Sequence, residues 1–88
     1  MKFNIPKNET LKLEDMEITE EQKQTLIATT LDSGMNAWDF IQSRPEASRP
    51  WVAAGILSCI SKGYHLNLMM IGWEGRDIRS AYMLEHNL

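Results

Sequence analysis

A single cysteine, Cys59, stands in the 88 residues, so no internal disulfide can staple this fold. Long hydrophobic runs are missing as well. The two longest apolar stretches, 51–57 and 66–71, fall far short of the roughly 20 residues a membrane-spanning helix needs. No basic segment followed by an apolar run opens the chain, so a secretory leader is not expected and the cytoplasm is the default compartment. Internal repeats, low-complexity tracts and linkers are absent too, which argues against an array or a multidomain chain. Strong charge of one sign is lacking: the formal net charge is −3, which gives no general pull toward nucleic acid.

What is present has ordinary globular proportions, 43% apolar and 24% charged, so the chain is expected to fold as one compact domain. A domain this small buries only about 60 to 65% of the surface its unfolded form exposes. Self-association is one way to supplement such a core. Charge is unevenly spread: residues 1–43 carry four lysines against eight acids, and residues 44–88 carry five basic residues against four acids. The second half is therefore the better candidate for an anionic partner.

Residues 1–18 alternate charged and apolar positions loosely and contain Pro6, which reads as an irregular arm or a short edge strand through Leu11 and Leu13. The domain proper is expected over residues 19–88. Thr19 and Gln22 have capping-box spacing, with Glu20 and Glu21 at the positive end of the helix dipole, so a helix is predicted from 19 to about 33, stopped by Gly34. Its inward arc would hold Leu26, Ile27, Thr30 and Leu31. Asn36 can cap a second helix over 36–43, which must end before Pro45. A turn or single helical turn follows, and Pro50 suits the start of a third helix over 50–62 that stops at Gly63. On that helix Val52, Ala53, Ile56, Leu57, Cys59 and Ile60 span about 160° of arc. Ala54, Gly55, Ser58 and Ser61 on the other side are small enough for another helix to approach closely.

The run 66–71 is compatible with a buried strand or a helix, because periodicity cannot separate the two over so short a stretch. Leu and Met outnumber β-branched residues there, and Leu68, Ile71, Gly75, Ile78 and Tyr82 recur at spacings of three and four, so a fourth helix over 66–86 is predicted. A break near Gly72 is the alternative, since Gly72 and Gly75 each weaken a helix by about 1 kcal/mol relative to alanine. The expected fold is all-α, a small bundle of about four helices behind an irregular N-terminal arm. An α+β arrangement, with 66–71 as a strand paired to the N-terminal segment, is the runner-up.

Catalytic chemistry finds little support in the residues. Cys59 lies in an apolar arc, where a thiol behaves as a small buried hydrophobe rather than a nucleophile paired with His65. One cysteine and two distant histidines, His65 and His86, provide no close metal-ligand pair. Carboxylate pairs such as Glu14 with Asp15 sit in the most polar stretch, with nothing to raise a pKa. Phosphate-loop and nucleophile-elbow spacings are absent. No enzyme activity, cofactor or metal is therefore expected. Two segments have a helix-turn-helix outline, but the second helix of one carries Asp39 and no basic residue, and that of the other is too apolar for a DNA groove.

Trp73, Arg76, Arg79 and Met83 form the most suggestive pattern, because they fall away from the Ile78–Tyr82 seam if this segment is helical, and tryptophan, arginine and methionine are enriched at interfaces. These four are the predicted partner-binding residues, with Arg44, Arg49 and Lys62 as candidate anion contacts. The expectation is a small non-enzymatic protein that binds and regulates or inhibits another macromolecule, a protein in the first reading, in the manner of a viral or mobile-element accessory protein, and that self-associates. The alternatives are a nucleic-acid-binding transcriptional regulator using the arginines, and a small-molecule or nucleotide sensor with an aromatic ring stacked on the ligand.

Overall fold

The computed structural model describes residues 19–86, and in this range the chain is all-α. Four helices follow in order: α1 (Glu20–Ile27), α2 (Ala37–Gln42), α3 (Arg49–Lys62) and α4 (Leu68–His86), with a short 3-10 turn at Glu46–Ser48 leading into α3. The arm expected over residues 1–18 lies outside the described residues.

Local chemistry sets most of these boundaries. The Thr19 hydroxyl accepts from the Gln22 backbone N–H at 3.0 Å, and the Gln22 amide oxygen accepts from the Thr19 N–H at 2.9 Å. This reciprocal pair satisfies two of the orphan donors at the start of α1. The first helix is shorter than its sequence suggested, ending at Ile27 instead of near residue 33. Two β-branched threonines follow, and the Thr29 hydroxyl bonds back to the Thr25 carbonyl. Asn36 then donates from Nδ2 to the Ile27 carbonyl, closing the helix with a side chain from nine residues ahead. Its Oδ1 accepts from the Asp39 N–H at 3.2 Å, so one asparagine both ends α1 and caps α2. Between them a loop closes through the isolated antiparallel bridge Thr30–Asn36, with Gly34 at φ +91°. Leu31 is still buried, delivered by the loop rather than by a helical arc, whereas Ile27 and Thr30 are exposed.

The turn around Pro45 is held by Arg49, whose guanidinium donates to the carbonyls of Arg44 at 2.9 Å and Gln42 at 3.1 Å. At the far end of α3, Gly63 takes φ +71°, with Gly63 N–H on the Ile60 carbonyl and Tyr64 N–H on the Cys59 carbonyl. This is the paired bonding of a Schellman motif, which only a residue tolerant of the left-handed region permits without strain. The fourth helix begins at Leu68 rather than 66, because Asn67 Oδ1 accepts from the Met70 N–H at 2.8 Å and acts as its cap. It runs unbroken through Gly72. Among the described residues there is no strand, so the mixed α/β alternative for 66–71 is set aside.

Leu26, Leu31, Ala37, Ile41, Ala53, Ile56, Leu57, Cys59 and Ile71 form the core. Desolvation raises the Cys59 thiol pKa above its usual value, as expected of a buried hydrophobe. The dominant packing is α3 against α4. A Cβ on Gly55 would lie 2.5 Å from the Ile71 carbonyl oxygen, and one on Gly75 would lie 2.7 Å from that of Trp51, so the backbones touch where side chains are missing. The Trp51 and Tyr82 rings pack 5.4 Å apart at 58° beside this crossing.

Candidate functional site

Because α4 packs chiefly on α3, its inward seam is narrow. Ile71, Gly75 and Tyr82 are buried along it, Ile78 is half-buried, and Leu68, the first residue of the predicted seam, is exposed. The outer side carries large apolar groups in water: Trp73 is 54% exposed, Met69 58% and Leu84 81%. Apolar atoms are common on any surface, but an exposed indole flanked by further large side chains on one helix is not.

The structure divides the four predicted partner-binding residues into two sets. Arg76 and Arg79 are exposed on the flank of α4 that faces α2 and the start of α3, where they line a trench of about 390 Å³ together with Arg44, Phe40 and Trp51. Half-buried Met83 sits beside the same arginines in a second depression that includes Ser80 and Leu84. Trp73 borders neither and points outward. Neither Arg76 nor Arg79 has a carboxylate partner among the described residues.

The three candidate anion contacts are also separated. Arg44 stands over the Phe40 ring at 4.9 Å and lines the trench. Arg49 holds backbone carbonyls at the end of α2. Lys62 bonds to the Glu74 carboxylate at 2.7 Å and lies over the Tyr64 ring.

Glu74 is a feature that sequence reasoning missed. It is 9% exposed, and its Oε1 accepts from Lys62 Nζ and from the Ser58 hydroxyl, both at 2.7 Å. The bond from Lys62 and then that from Ser58 hold its carboxyl below the usual range, against the opposing effect of burial. Lys62 is correspondingly raised. Ser58 and Lys62, one turn apart on α3, clamp a carboxylate that flanks the α4 seam. Their shared helix face, opposite an acid next to a close-packed glycine, was the available signal. Among the described residues no group of three or more histidine, cysteine or acidic side chains could hold a metal ion, and no helix is long and apolar enough to cross a membrane. Compared with known proteins, the chain matches no family model, no curated protein and no solved structure.

Proposed function

We propose that this protein is a small non-enzymatic interaction protein that binds another protein through the outer side of α4 and thereby regulates or inhibits it. The carrying observation is Trp73, more than half exposed on a long helix, with Arg76 and Arg79 exposed on the adjoining flank and without a carboxylate partner among the described residues. An indole and two arginines supply the anchor types that dominate binding energy when an interface desolvates them. The partner surface should be apolar at its centre with carboxylates at its edge, meeting Trp73 and the arginines respectively.

Nucleic acid is the weaker reading. Lys62 is committed to Glu74 and Arg49 to backbone carbonyls, so the basic surface on the second half of the chain reduces to Arg44, Arg76 and Arg79. Asp77 is exposed next to Arg76, where it would oppose a phosphate. Self-association through the same apolar side of α4 would be an isologous use of this surface.

The test compares wild type with an Arg76→Glu, Arg79→Glu double variant and a Trp73→Glu variant. All three should give the same helical circular dichroism, and a protein recovered with wild type from its native host should be lost from both variants. Equal recovery by all three would remove the outer side of α4 from consideration. Loss that tracks ionic strength and extends to unrelated DNA would favour nucleic acid instead.

A further inference from the structure

The trench between α2, α3 and α4 has a direction. Its α4 wall runs from Leu68 to Arg79, about 16 Å of helix at 1.5 Å per residue. Because Gly55 meets Ile71 and Trp51 meets both Gly75 and Tyr82, α3 and α4 are antiparallel, and the start of α3 lies beside the second half of α4. Ser48 therefore sits at the Arg79 end, while Leu68 and Ile71 line the other. Lining groups at the first end are cationic, those at the second are apolar, and no carboxylate lines either.

We propose that this trench binds a single-headed amphipathic anion, an extended apolar chain ending in a carboxylate. The trench volume of about 390 Å³ lies within the range of small-molecule sites, and spread over its length it is wide enough for one chain rather than a bulky ring system. Arginines line the trench from two elements, Arg44 from the turn after α2 and Arg76 with Arg79 from α4. A planar carboxylate can accept two parallel bonds from an arginine fork. This inference is independent of the protein-partner reading, with which it shares Arg76 and Arg79 but not Trp73.

Gly72 provides a clean probe of the site. It lines the trench, yet a Cβ there would meet nothing within 4 Å, so a large side chain can fill the trench without disturbing the α3–α4 contact. The experiment is isothermal titration of the full chain with dodecanoate below its micellar concentration, with dodecanol and dodecyltrimethylammonium as comparisons. Amide NMR shifts are followed in parallel. Dodecanoate should bind one to one and shift Phe40, Val52 and Leu68. Arg76→Gln, Arg79→Gln should weaken binding by more than about tenfold, as loss of charge-assisted bonds implies, and Gly72→Phe should abolish it while leaving the circular dichroism unchanged. Dodecanol should bind far more weakly and the cation not at all. The proposal is overturned if wild type does not bind dodecanoate, which would leave the trench to a row of partner side chains, or if the alcohol or the cation binds as well as the carboxylate. It is also overturned if Gly72→Phe binds as tightly as wild type. Trp73→Glu should bind dodecanoate normally, so failure of the protein-partner reading and failure of this one are read separately.

Discussion

Replacing Gly55 and Gly72 by alanine, one at a time, should change stability in opposite directions. Both glycines are interior to helices, and each substitution gains about 1 kcal/mol of helix propensity. At Gly72 the new methyl meets open space, so that gain stands alone and Gly72→Ala should stabilise by about 1 kcal/mol. At Gly55 the methyl would sit 2.5 Å from the Ile71 carbonyl oxygen and 3.0 Å from the Gly75 nitrogen. Both are backbone atoms, so relief requires α4 to move away from α3 as a body, loosening the largest helix contact in the domain. Overpacking of this kind, with the backbone shift it forces, costs about 1 to 3 kcal/mol. Gly55→Ala should therefore destabilise by up to about 2 kcal/mol after its propensity gain, placing the two variants about 1 to 3 kcal/mol apart. For a domain this size each kcal/mol moves Tm by about 4 to 8 °C. Urea and thermal melts followed by circular dichroism, with coincident fluorescence transitions as a check on two-state behaviour, measure both. If Gly55→Ala is as stable as Gly72→Ala, the close crossing at Gly55 and Gly75 is wrong.

Asn36→Ala should cost about 1 to 2 kcal/mol in the same melts, at the upper end for a cap, because one side chain closes α1 and starts α2; a loss no larger than that of Thr19→Ala would deny it the double role. Ser58→Ala removes one of two donors to Glu74 and should cost about 1 kcal/mol, with a neutral effect counting against the clamp. Glu74 is held below its usual pKa of 4.5, so its contribution is present above that value and is lost as pH falls through the lower folded one. Lys62 is raised above 10.5, so its contribution is present below that value and is lost as pH rises through its higher folded one. Stability of wild type relative to Glu74→Gln should accordingly be flat from pH 6 to 9 and shrink below about pH 4.5; a difference that grows on acidification would contradict the assignment. Cys59 should resist a thiol reagent in native protein and react rapidly in denaturant, and fast native labelling would show that its burial is overstated.

The fold was largely legible because its punctuation is local. Thr19 with Gln22, Asn36 as the cap of α2, the Pro45–Pro50 interval and Gly63 act largely through bonds to residues a few positions away, which sequence spacing displays directly. The small face of α3 also announced a close helix contact, and Gly55 against Gly75 is that contact. The end of α1 was misjudged because its stop signal, Asn36, lies nine residues downstream and acts across a loop that forms only in the folded chain. Leu31 kept its burial while losing its helix, since an apolar residue seeks the core by whichever backbone delivers it. The site was less legible. Exposure of Trp73 and of the two arginines follows from helical periodicity, but the trench needs Phe40 and Trp51 from elements far apart in sequence. The pattern of α4 sets Arg79 about 120° around the axis from Trp73, but it does not show that a trench lies on the arginine side. Lys62 looked like a free cation until Glu74, twelve residues on, was brought against it.

Site-specific photo-cross-linking in the native host tests the central claim most directly. A photoreactive amino acid placed at Trp73 lies on the outer side of α4, and one placed at Ser33 lies on an exposed turn that serves as the control. The outer side of α4 is a protein-binding surface if the Trp73 position yields a discrete adduct to one protein, or to a second copy of the chain, that is missing at Ser33 and disappears when Arg76 and Arg79 are reversed to glutamate. No adduct at Trp73, or the same adducts at both positions, would contradict it.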